Sequence, residues 1–276
     1  MSVLELTLRR TVMAPLHLEI ISPDNLSGKR WREIGDYMVW EGNRRVKLGS
    51  LFKIEGEAEA NLQDTLIEIV GDMSRARRIG YRMSGGVIKI RGHGGLHVGE
   101  SMRGGRIIVD GDAGPWLGAN MAGGTIEVSG SAGDYVGAAS LGTDKGMTGG
   151  SIIIKEDSGS QTGAWMHSGL IRISGSSGMF PGVHMRGGTI HIARDCSGRA
   201  GANMRGGKIV VSGKLPTVLP SFTFEDIRGQ TRVDKDNVEG PFYIFSGDNN
   251  EDGDGRLFIK KASNPQLKWC EKFLEV

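Results

Sequence analysis

Only two cysteines, Cys196 and Cys270, occur in the 276 residues. Two isolated cysteines build neither a disulfide framework nor a Cys-x-x-Cys metal site. Aromatic residues make up 6% of the chain, too few to interleave its basic clusters as a stacking platform for single-stranded nucleic acid. A dominant charge is missing as well. The formal net charge is +2, so no molecule-wide field draws nucleic acid or a membrane surface. No apolar run reaches the ~18 residues of a membrane-spanning helix. The opening MSVLELTLRR alternates like a strand and does not read as a signal peptide. These absences predict a cytoplasmic protein with neither a membrane nor a nucleic-acid partner.

What is abundant is glycine: 45 residues, about 16% of the chain against a usual ~7%. The glycines follow no triplet and do not gather in Ser/Pro tracts. They recur at fixed places between short apolar stretches. Met83, Met102, Met121, Met147, Met166, Met185 and Met204 each open a copy of one unit, with spacings of 19, 19, 26, 19, 19 and 19. A glycine pair stands two residues after Met in every copy but the fifth, which has Ser168-Gly169. Two positions separated by one residue then hold only Ile or Val, from Ile88/Ile90 to Ile209/Val211. Such alternation is the mark of a half-buried strand. A repeat this short cannot bury its own apolar edge, whereas stacked copies make one continuous core. The reading is an all-β, parallel β-helix of about seven 19-residue coils, with Met and Ile/Val in columns down the inside. Met is expected there as a gap-filler.

The segment 66–82 reads as one more, irregular coil. Three divisions follow: 1–61, an N-terminal strand/helix cap; 62–213, the repeats; and 214–276, a C-terminal cap. In the first, a strand is expected over 2–9, a helix from Ser22 through 37, and strands over 38–40 and 46–55. In the last, strands are expected near 241–246 and 256–261. Caps protect the open sheet edges of a solenoid. The insert at 139–146 breaks the period and is expected to project from the rod.

Candidate chemistry is thin. His93 and His97 form an H-x-x-x-H pair, but zinc needs both rings on one helical face, and four glycines surround them in GHGGLHVG. Asp248, Asn250, Asp252, Gly253 and Asp254 imitate a calcium loop, yet the twelfth place, which requires a bidentate Glu, holds Ile259. A polar hairpin turn is the expected role. His93, Asp112, Ser131, Asp157, Ser176 and Asp195 share one column. Carboxylates on alternate coils would stand ~9.6 Å apart, two strand spacings, too far for one bridging calcium ion. Turn solvation is the expected role of this column. No nucleophile elbow, P-loop or dinucleotide fingerprint is present. No catalytic, cofactor-binding or metal-ligating residue is assigned. Arg75, Arg77, Arg78, Arg103, Arg186 and Arg205, with Leu141, Asp144 and Lys145 of the insert, are candidates for contact with other subunits.

The repeated M-x-G-G-x-I-x-V-x-G-x-x-G-x-x-x-G pattern resembles the GXGXG β-helix family. That family includes the C-terminal domain of the glutamate synthase large subunit and the C subunit of formylmethanofuran dehydrogenase. RRIGYRM (77–83), AGDYVGA (132–138), GMTGG (146–150), VKLGSLFKIEGE (46–57) and FYIFSGD (242–248) look like the latter. The resemblance implies a right-handed, single-stranded β-helix serving as a structural subunit. The complex would reduce carbon dioxide to formylmethanofuran in one-carbon metabolism and methanogenesis. Its chemistry would lie on other subunits: a tungsten- or molybdenum-pterin subunit, iron–sulfur polypeptides, and an amidohydrolase-like subunit with a dinuclear metal site. The related formyltransferase/hydrolase complex of methylotrophs, and a glutamate-synthase-like domain, are the alternative settings. A self-sufficient carbohydrate-acting β-helix would instead need carboxylates on neighbouring coils.

Overall fold

The computed structural model describes residues 3–274. Its main element is a thirteen-stranded, mostly parallel sheet. Ten successive strands run parallel: Val3–Leu8, Leu66–Val70, Val87–Arg91, Arg106–Val109, Thr125–Val128, Ser151–Ile154, Leu170–Ile173, Thr189–Ile192, Lys208–Val211 and Gly255–Lys260. Equivalent residues of the repeat lie side by side. Ile107 pairs with Ile126, Ile126 with Ile152, Ile152 with Ile171, and Ile171 with Ile190. A second line of parallel bridges runs through Gly94, Ala113, Ala132, Ser158 and Ser177. The chain therefore returns to the same place after each repeat, in a β-helix-like arrangement.

The interior is what the repeat demands. All seven repeat methionines are fully buried, as are Ile88, Ile107, Ile126, Ile152, Ile171, Ile190 and Ile209. Each buried aliphatic side chain contributes roughly 1.5–3 kcal/mol relative to exposure. The glycine pair has two distinct reasons. A Cβ on Gly123 would fall under 3.0 Å from the carbonyl oxygen of Arg103, one coil away. Gly124 has φ +86°, which strains any residue with a Cβ. The first glycine permits close approach of the coils, and the second turns the chain.

The ends close the stack with their own chain. Val3–Leu8 pairs in parallel with Leu66–Val70, and Phe52–Glu55 adds antiparallel outside it. At the far end, Gly255–Lys260 supplies the last parallel strand beside Lys208–Val211. The hairpin of Thr223–Val233 and Asp236–Gly247 extends the sheet antiparallel. Val210, Val233, Phe242, Ile244 and Phe258 form a separate buried cluster there.

Several local expectations are corrected. The strand expected over 2–9 is Val3–Leu8, and Ser2 lies outside the described residues. The single helix from Ser22 to 37 is two short ones, Pro23–Leu26 and Trp31–Gly35. Gly28, at φ +70°, breaks it and donates its N–H to the Glu59 carbonyl at 2.9 Å. The strand expected over 46–55 is interrupted by a helical turn, Leu48–Leu51. Gly49 packs there against Gly35, letting the two helical pieces approach. Strands Leu16–His17 and Thr223–Val233 are not among those expected, and the pairing of the second shifts register twice.

Gly123→Ala is expected to destabilise the chain by on the order of 2–3 kcal/mol in urea unfolding. Gly229→Ala, whose new Cβ meets nothing within 4 Å, is expected to change stability by less than about 0.5 kcal/mol. Equal losses would contradict the close-approach account.

Candidate functional site

The polar residues of the turns face the next coil. Asp112 Oδ1 accepts from the Ser131 N–H at 2.8 Å, Asp157 Oδ1 from Ser176 at 2.7 Å, and Asp195 Oδ1 from Lys214 at 2.7 Å. His93 Nδ1 accepts from the Asp112 N–H at 3.1 Å, and Ser131 Oγ from that of Asp157 at 3.3 Å. The column is a ladder of side chains satisfying backbone donors one coil on. Asp134 and Ser160 repeat the device on a neighbouring line. These backbone groups sit at corners without strand partners, which is why Asp and Ser recur there.

His93 and His97 do not converge. His97 stacks on Trp116 at 5.6 Å, with its Nδ1 3.2 Å from Glu100. The calcium-like loop is a hairpin connection. Both oxygens of Asp248 accept backbone N–H groups, of Asn203 at 2.9 Å and Asn250 at 3.0 Å. Burial pushes the thiols of Cys196 and Cys270 up to about 11, so neither is an activated nucleophile. Among the described residues no group of three or more His, Cys, Asp or Glu is arranged to hold a metal ion.

The nine candidate contact residues fall into separate places. Arg75 and Arg103 are exposed and, among the described residues, in no ion pair. Arg77 lies in the strand Ala76–Arg77 beside His17. Arg78 bonds the buried Glu100 at 2.9 Å. Burial raises the Glu100 carboxyl, but contact with His97 and the charge of Arg78 outweigh it and leave it below its usual value. Leu141 is 90% exposed, and Asp144 and Lys145 are exposed beside it. Asp144 lies 3.5 Å from Arg186. Arg205 is held by Glu251 at 2.7 Å near the C-terminal end.

Sequence reasoning missed the anchor of the insert. Asn120 accepts from the Ser140 N–H at 3.1 Å and donates to the Lys145 carbonyl at 2.6 Å. Ser140 Oγ also reaches Glu100 Oε1 at 3.3 Å. A polar chain thus joins Arg78 to the base of the projecting loop. Also missed was a line of planar side chains, each one repeat after the last: Arg78, His97, Trp116, Tyr135, Gln161, Phe180 and Arg199. All seven have positive φ. Trp116 and Tyr135 stack at 4.3 Å, and Arg199 lies 5.4 Å from the Phe180 ring centre. The mixed identities hid a shared backbone position.

No protein-family model matches the chain. Curated relatives do. Over 90 residues, a third of this chain and 30% of the relative, it is 38% identical to the C subunit of molybdenum-containing formylmethanofuran dehydrogenase 1 from Methanosarcina barkeri. Over 99 residues it is 39% identical to the C subunit of tungsten-containing formylmethanofuran dehydrogenase 2 from Methanothermobacter wolfeii, covering 36% of this chain and 37% of that one. Over these stretches the chain is a homologue of the formylmethanofuran dehydrogenase C subunit. The aligned stretch spans about a third of the length of these relatives. A solved structure matches far more of the fold. It is a chain of the formyltransferase/hydrolase complex (FhcABCD) from Methylorubrum extorquens, solved with methylofuran. The TM-score is 0.81 at 28% identity, over 93% of this chain and 99% of that one.

One titratable group sits deep in the wall. His191, paired in the sheet with Arg172 and Val210, is pushed down to about 4, chiefly by burial and secondarily by the Arg172 charge. The folded state favours the neutral ring, so this contribution to stability is complete above the ordinary value near 6.5 and is lost as pH falls toward about 4. In thermal melts from pH 7 to pH 4, His191→Gln is expected to flatten the decline. An unchanged slope would contradict the assignment.

Proposed function

We propose that the chain is a structural subunit of a formylmethanofuran dehydrogenase complex, which reduces carbon dioxide to formylmethanofuran, with the reaction carried by other subunits. The observation that carries this reading is the closed ladder. Asp112, Asp157, Asp195, Ser131 and His93 each hold a backbone N–H of a neighbouring coil, so their lone pairs stabilise the stack. Similarity to the dehydrogenase's C subunit over the aligned third supports the setting. The relatives' names carry molybdenum or tungsten. The donor set here does not suit such a group: the two thiols are buried and raised to about 11. The metal-pterin, iron–sulfur clusters and dinuclear site therefore belong on pterin-binding, iron–sulfur and amidohydrolase-like partners, in the cytoplasm. In this reading the rod is a right-handed, single-stranded β-helix of seven coils at 62–213, with 1–61 and 214–276 as its caps. Its outward side chains form docking surfaces. Arg75, Arg77, Arg78, Arg103, Arg186 and Arg205, and the loop carrying Leu141, Asp144 and Lys145, are the contact residues.

A second reading places the chain in a formyltransferase/hydrolase complex. The near-complete structural match favours it. The two are separated by affinity purification from the source cells followed by mass spectrometry. A pterin subunit with iron–sulfur polypeptides supports the first reading, and a formyltransferase with a hydrolase-like subunit the second. A chain recovered alone contradicts both.

Among the described residues, no helix is long and apolar enough to cross a membrane. Residues 141–145 are all exposed, whereas Ala139 and Gly146 donate to the next coil at Ala164 and Trp165. Replacing 141–145 with a two-glycine link is expected to leave the isolated chain's melting temperature within a few degrees. Recovery of the assembled complex is expected to fall several-fold. Full recovery would remove the loop from the contact set.

A further inference from the structure

The small four-stranded sheet near the N-terminus has one face that no element among the described residues covers. Its strands are Arg44–Lys47, Met38–Glu41, Leu16–His17 and Ala76–Arg77, in that order. Registers place Arg77 opposite His17, His17 opposite Trp40, and Trp40 opposite Arg45. Directly opposed residues point to the same side of a sheet, so these four form one row. Met38 and Lys47 make the next pair on that face. The alternate positions turn inward: Val39 is buried and Val46 half-buried.

This face carries what a solvated sheet face usually lacks. Trp40 is 45% exposed and Met38 43%. The Arg45 guanidinium lies 5.9 Å from the Trp40 ring centre, and that of Arg82 5.0 Å from Tyr81. A groove of about 530 Å³ runs between Met38, Trp40, Tyr81 and Arg82. Among the described residues, Arg45, Arg77 and Arg82 have neither an ion pair nor a side-chain hydrogen bond. Two acids border the groove. Asp24 is engaged by the N–H and hydroxyl of Ser84, and Glu19 lines the groove together with Arg82. Lys47 is neutralised by Asp36 at 2.8 Å. Exposed Trp, Met and Arg together are the composition of a protein-interface centre.

We propose that this face docks an acidic segment of a neighbouring subunit. One apolar side chain of that segment seats in the groove by Trp40, and its carboxylates meet Arg45, Arg77 and Arg82. Charge complementarity selects this occupant. A second copy of the chain would set these arginines against themselves, and nucleic acid would find one exposed indole where successive bases need several. The inference rests on the subunit reading above and names one of its surfaces.

The test uses the complex as purified from cells, with a photo-reactive phenylalanine analogue at position 38. The expected product is a cross-link to an Asp/Glu-rich peptide of another subunit. Trp40→Ala combined with Arg45→Glu is expected to lower its yield on the order of tenfold, with the isolated chain's circular-dichroism melt unchanged. An intact complex with no cross-link at this position overturns this surface and leaves the subunit reading standing. So does a cross-link confined to a second copy, to nucleic acid or to a segment without acidic residues. A chain that purifies alone overturns both.

Discussion

The structure depends on register between coils. A parallel stack places each residue beside its counterpart one repeat away, so a position must tolerate its own copy on both sides. Apolar β-branched residues do this well, and Ile126 lies between Ile107 and Ile152 with no exposed surface. Like charges do not, since neighbours on adjacent strands are only about 4.8 Å apart. The Asp column respects that limit. Asp112, Asp157 and Asp195 are separated by Ser131 and Ser176, and each carboxylate reaches a backbone N–H of the next coil. The same hydrogen bonds that neutralise the corners lock the register.

This constraint decides what the sequence discloses. Columns that require one residue type are legible, because Met, paired glycine and Ile/Val return every nineteen residues. The 26-residue interval between Met121 and Met147 marks the insert, and Leu141 does stand clear of the rod. Columns that require a backbone conformation are not legible. The corner shared by Arg78, His97, Trp116, Tyr135, Gln161, Phe180 and Arg199 is left-handed in every copy. Different side chains fill it from coil to coil, so no side-chain period is visible. The strands expected over 2–9 and near 256–261 are present as Val3–Leu8 and Gly255–Lys260, but their place in the stack is not legible from the repeat. Val3–Leu8 and Gly255–Lys260 join the stack from opposite termini, and neither belongs to a repeat. The helix expected from Ser22 failed for a related reason: Gly28 bonds the distant carbonyl of Glu59, a contact that helical propensity does not anticipate.

At the candidate positions the sequence was legible as polar turns. His93, Asp112 and Asp248 are residue types that do chemistry, and each turns out to hold backbone. The surfaces proposed for contact are the loop anchored by Asn120, exposed arginines such as Arg75 and Arg103, and the sheet face of Trp40. Repeat positions are constrained by stacking, so variation, and with it recognition, is left to inserts, corners and caps. In the proposed reading, a stack built this way offers fixed distances between docking surfaces.

The most direct measurement of that claim is single-particle electron microscopy of the intact assembly. The account predicts that at least two different subunits touch this chain, at faces separated along the stack. It also predicts that bound substrate and metal lie within those subunits. Substrate density against the coils of this chain, or a peripheral position touching one neighbour, would contradict it.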